Sequence, residues 1–245
     1  MGLFKNLFNT KKTQVDSKDN NEIENIKLFT DENDFLEKFG AIALDKQRNL
    51  FSVIGENSWN VDMQKQEIYF GDLTFSINVL GSFSHSSETW LWIWENKAGG
   101  YSEAIMEKAL SLKKYGEENN IDLLKIPQFD AVENDLHLIG MIASELFNSS
   151  CYYLANYGQG TMVLTIDSER IDKSESEELA RILTVFPEFI SSFDIVNHKT
   201  AFANYLVAKG YLITENRNEL TSEKNGNKIT AVFNENNLLT KLNGY

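Results

Sequence analysis

The chain has 245 residues, 42% hydrophobic and 24% charged, enough for a sizeable core in one large domain or two small ones. Its formal net charge of -13 repels phosphate backbones, which excludes nucleic acid as a general partner and suits either solubility or a basic protein partner. A single cysteine, Cys151, makes neither an internal disulfide nor a thiolate metal site, and no run nears the ~20 apolar residues of a membrane span, so the chain reads as cytoplasmic.

The opening MGLFKNLFNTKK carries three lysines and no acid. Leu3, Phe4, Leu7 and Phe8 have the spacing of a short amphipathic turn that can touch a membrane. Asn6 stands where a myristoylation signal wants Ser or Thr, and an ordinary loosely packed terminus is the preferred reading. Residues 9–25 hold only Val15 and Ile23 as apolar anchors. Residues 1–26 therefore read as an N-terminal segment and flexible linker, and 27–245 as a single domain with one candidate sub-boundary near 167–176.

Thr30 or Asp31 can cap a helix whose stripe is Phe35, Phe39, Ile42, Leu50 and Ile54, and Gly55 stops it. Strands follow. SWNVDM alternates Trp59, Val61 and Met63 against Asn60 and Asp62, and QEIYFG comes after a polar turn. DLTFSINVLG alternates Leu73, Phe75, Ile77 and Val79 against Thr74, Ser76 and Asn78, the pattern of a half-buried antiparallel strand. ETWLWIWEN is apolar on both faces. A helix enters through Gly99-Gly100 under a Ser102 cap, and a second starts at Asp130 and Glu133 with the stripe Leu136, Ile139, Ala143 and Leu146. SCYYLANY and TMVLTID form a hairpin about GQG.

Ser174 and Glu177 open SESEELARILTVF, which Pro187 closes, and HKTAFANYLVAKG ends at Gly210. YLIT, KITAVF and LLTKL are short strands. Residues 167–194 hold eight acids against three bases, so the helix over 172–188 should turn Leu179, Ile182, Leu183 and Phe186 inward and Glu175, Glu177, Glu178 and Glu188 towards solvent. Strands cluster with strands and do not alternate with helices. The fold class is α+β, a mostly antiparallel sheet with helices packed against it.

No phosphate-binding glycine loop and no G-x-S-x-G elbow occurs, and His85, His137 and His198 lack ligand neighbours, so no cofactor or metal is expected. SFSHSSE sets Ser82 and Ser84 beside His85 and Glu88, but neighbouring strand side chains point opposite ways, and a polar turn explains them more simply than a nucleophile and its base. Asp62 can hold a cation or satisfy backbone N–H groups, and the two readings stand level. Trp90, Trp92 and Trp94 share one strand face. A stacking platform for bases or sugars would use such a row, but the apolar reverse face and the net charge favour core.

Around these residues LGSFSHSSETWLWIWEN, preceded by SWNVD, resembles an uncharacterised bacterial domain family with the pattern W-x-x-D, L-G-S-x-S and T-W-L-W-x-W-x-N. Trp59, Asp62, Leu80, Gly81, Ser82, Ser84, Thr89, Trp90, Leu91, Trp92, Trp94 and Asn96 match it. The resemblance spans roughly residues 34–166 and implies a shared fold without an activity. The expected function is non-enzymatic binding of a basic protein, immunity-like or regulatory. The alternative is a small-molecule-binding or hydrolytic pocket where Trp59, Asp62, His85 and Glu88 meet, with Ser82, Ser84 and Asn96 as further ligand-binding candidates.

Overall fold

A computed structural model describes residues 28–172 and 178–245. The expectations for the N-terminal segment and linker, and for Ser174, Glu175 and Glu177, lie outside the described residues. The first helical stretch starts where the sequence places it: Asp31 accepts the Asp34 N–H at 2.9 Å and caps α1 (Glu32–Phe35). One π-helical turn (Leu36–Gly40) leads into α2 (Ala41–Ile54), and Gly55 at φ +57° ends it. The π turn has no signature in the sequence. Gly40 accounts for its position, since a Cβ there would lie 2.6 Å from the Phe189 ring.

Strands β1 (Trp59–Asp62), β2 (Glu67–Phe70), β3 (Leu73–Ser84), β4 (Thr89–Trp92), β5 (Gln128–Asp130), β6 (Cys151–Asn156) and β7 (Gly160–Asp167) build one antiparallel sheet. The long β3 is its spine. It carries β2 and then β4 along one edge, and β7 with β6 beyond it on the other. Phe75, Ile77 and Val79 are buried while Thr74 and Ser76 are exposed, as the alternation requires. At Leu80 the register against β7 slips by one residue. That bulge turns the strand over, so Gly81 and Phe83 share the face of Val163 whereas Val79 shares the opposite face with Leu164.

Helices cover this sheet. α3 (Glu103–Asn119) packs on β3, α5 (Glu133–Leu146) on β6 and β7, and α2 on β6; α4 (Asp122–Lys125) is a single turn against α3. The proposed Asp130 cap is corrected: Asp130 lies in β5, which pairs with β4, and Asp135 instead accepts the Val132 N–H at 2.8 Å to start α5. A three-residue edge strand shows no alternation from which to be read.

After α6 (Glu169–Asp172) come α7 (Glu178–Ser192), α8 (His198–Ala208) and the meander β8 (Leu212–Glu215), β9 (Glu219–Lys224), β10 (Asn227–Phe233) and β11 (Leu239–Gly244). α7 does not end at Pro187. Its apolar face, Ile182, Val185, Phe186 and Phe189, is buried on both sides of the proline, and that packing overrides the missing hydrogen bond. β9 has no run of alternating apolar residues, since ELTSEK buries only Leu220 and Ser222. α7 lies on α2 and β11, and α8 on the π turn, α2 and β8. No described helix is long and apolar enough to cross a membrane.

The tryptophan row is core. Trp90 and Trp92 are fully buried, edge to face with ring centroids 5.4 Å apart, and the Trp92 indole N–H donates to the Leu123 carbonyl at 3.3 Å. Gly81 lies opposite Trp92, and a Cβ there would meet the Trp90 ring at 2.5 Å. Trp94 does not continue the row: β4 stops at Trp92, and Trp94 sits half-buried in the following turn, stacked on Trp92 under the Lys113 ammonium at 4.3 Å. Replacing Trp92 by Ala should cost about 3–5 kcal/mol of folding stability in a denaturant titration. An unchanged midpoint would contradict the core assignment.

Candidate interaction surface

The residues singled out in the sequence do not form one pocket. Asp62 pairs across β2 with Glu67, which pairs with Ser76, and Ser84 lies eight positions further along β3. At 3.3 Å per residue that separation is ~26 Å. Trp59 and Asp62 therefore occupy one end of the sheet and His85 and Glu88 the other. Asp62 accepts the N–H groups of Gln64 and Lys65, both at 3.0 Å, which is the backbone-satisfying role. Trp59 faces Phe70 and is half-buried against the core.

At the other end the polar loop serves as a staple between hairpins. His85 Nδ1–H donates to the Gly158 carbonyl at 3.1 Å, which leaves Nε2 to accept from the Thr161 hydroxyl at 3.0 Å. Both ring nitrogens are thereby engaged, and the nearby hydroxyls pair with one another: Ser84 with Ser86 at 3.2 Å and Ser87 with Thr89 at 2.8 Å. Glu88 adopts φ +51°, and its carbonyl accepts the Ala131 N–H, tying the turn to β5. Ser82 is half-buried opposite Leu91. Asn96 closes a turn through its backbone, donating to Ile93 and accepting from Gly99. The arrangement holds two loops together and activates no nucleophile.

The acidic stretch at 167–194 also departs from expectation. Glu178 is half-buried and paired with Lys224 at 2.7 Å, Glu188 pairs with Arg48, and Asp167 pairs with Lys108 at 2.6 Å. Bases from distant segments pair with these three acids. Ile182 and Phe186 are buried as the stripe requires, and Leu179 and Leu183 are half-buried.

Uncompensated negative charge gathers elsewhere, where the N-terminal ends of α1, α4 and α5 meet. Partial burial and the carboxylates of Asp135, Asp31 and Asp122 together raise the Glu32 carboxyl above its usual range. Each acid alone suits a helix N-terminus; their convergence sets like charges side by side. Lys125 offsets only Asp122, at 2.8 Å and on the surface. Beside this corner Val132 is 63% exposed, between Asp130 and Glu133 and next to the open edge of β5. No local pattern marks this surface, because its four carboxylates come from positions 31, 32, 122 and 135.

A carboxyl raised in the folded state favours the fold when protonated, and that contribution is lost as pH rises through the folded value. Glu32→Gln should therefore raise the melting temperature at neutral pH, with the gain gone below about pH 4. A gain that persists in acid would show that the effect is not electrostatic.

No match is found among curated proteins or solved structures. Residues 33–169, from α1 to the start of α6, match the model of DUF6882, a family of unknown function. The match covers more than half of the chain, and the protein belongs to that family.

Proposed function

We propose that this protein is a non-enzymatic binding module of the bacterial cytoplasm that recognises a basic protein partner, as an immunity or regulatory protein does. The observation that carries this reading is the acidic corner. Glu32 sits among Asp31, Asp122 and Asp135, with its carboxyl raised by burial and by their charge, beside the exposed Val132. Such a corner is strained by its own repulsion and is relieved by an incoming cation. Its charges steer a basic partner over about a Debye length, ~8 Å at physiological salt, and Val132 offers an apolar contact once the partner has docked. The net charge of -13 acts in the same direction at longer range.

The test is affinity capture from the native host with the full-length protein beside a Glu32→Gln, Asp122→Lys double variant. The expected result is a basic protein retained by the parent at low salt, released by added salt and lost from the variant, with both baits cooperatively folded. Identical retention by the two baits would contradict the proposal.

A further inference from the structure

A second surface lies where α2, α5, the outer edge of β6 and the end of α7 meet. They enclose a cleft of about 430 Å³, within the size range of small-ligand sites. Leu44, Phe51 and Phe193 supply apolar walls. Gln47 lines the cleft while only 5% exposed, and its side-chain amide has no hydrogen-bond partner among the described residues. An amide that opens on a cleft and has no protein partner is free to pair with an occupant.

The groups around it are matched in kind. Burial raises the Tyr153 hydroxyl, which stays protonated and has no partner among the described residues. Burial holds the His137 imidazole below its usual value, against the pull of Glu133 and with the help of Arg48. Its Nδ1 lies 2.9 Å from the Tyr152 hydroxyl, and Nε2 is uncommitted. β6 is an edge strand, and its hairpin closes with the Tyr157 N–H donating to Gly160. Alternation from that pair turns the N–H and C=O of Leu154 to the open edge. The cation of the cleft, Arg48, is already paired with Glu188.

We infer that this cleft binds an uncharged planar ring that carries adjacent hydrogen-bond donor and acceptor groups, the chemistry of a nucleobase or nucleoside. The Gln47 amide and the Leu154 peptide groups each offer a donor next to an acceptor, which such an edge complements. Phe51 and Phe193 supply apolar surface for the ring. A phosphorylated ligand is disfavoured, because Glu188 neutralises Arg48 and Glu133 repels an anion. The cleft adjoins the acidic corner at the first turn of α5, but none of Asp31, Glu32, Asp122 and Asp135 lines it, so this inference does not rest on the proposed partner.

Calorimetric titration of the full chain with uridine, cytidine, adenosine and guanosine tests it, alongside uridine 5′-monophosphate and the Gln47→Met variant. The expected result is saturable binding of at least one nucleoside, weakened about tenfold or more by Gln47→Met, with the monophosphate weaker than uridine. The same variant should melt no lower than the parent, since methionine is of similar length and the Gln47 amide has no partner among the described residues to lose. A Gln47 with a structural role would instead give a lower melting temperature. No saturable binding of any nucleoside at millimolar concentration, equal binding by the variant, or tighter binding of the monophosphate would each overturn the inference.

Discussion

One buried carboxylate ties the two halves of this molecule together. Asp45 lies in the middle of α2, is 2% exposed, and is met entirely by the C-terminal segment: Lys209 at 2.6 Å, the Tyr205 hydroxyl at 3.1 Å and Arg181 at 3.5 Å. A charge so placed demands partners, because removing them leaves an uncompensated ion in the interior, at about 3–5 kcal/mol for a typical buried pair. Burial, followed by the charge and hydrogen bond of Asp45, holds the Tyr205 hydroxyl well above the usual phenol value. The hydroxyl therefore stays a donor at any ordinary pH. The α2 carboxylate thus specifies how α7 and α8 dock, and the Phe189 ring against Gly40 fixes the same contact from the apolar side.

The remaining architecture is arranged around α2. It packs on β6 and α5 within the family-matched part, and on α7 and α8 beyond it. The cleft lined by Gln47 lies between α2, α5, β6 and the end of α7, and the Arg48–Glu188 pair joins one part of the chain to the other there. Two charged features thus separate by role. Paired acids such as Glu178 and Glu188 assemble the fold, whereas Glu32 and its neighbours remain uncompensated at the surface. The first kind answers to internal geometry, and the second is the surface on which the proposed function rests.

Much of the fold was legible where periodicity was strong. The α2 stripe, the β3 alternation, the GQG hairpin, the Gly210 helix end and the burial of Trp90 and Trp92 all follow from spacing and turn chemistry. What escaped had no local signal. β5 is too short to alternate, the π turn answers to a ring packed against Gly40, and α7 continues through Pro187 because tertiary burial outweighs one lost hydrogen bond. The site residues fared worse than the fold. His85 and Asp62 are polar, near tryptophans and suggestive in sequence, yet each is occupied in holding a turn. Gln47, an amide within an apolar stripe, opens on the cleft, and only the packing of α2 against β6 and α7 reveals it.

The most direct measurement of the central constraint is native-state hydrogen exchange on an Asp45→Asn variant. If the α2 carboxylate holds the C-terminal segment, amide protection should fall together in α7, α8 and β8 to β11, while β3 and β7 keep the protection of the parent protein. Uniform loss of protection across the molecule, or none in any element, would show that Asp45 is not what joins them.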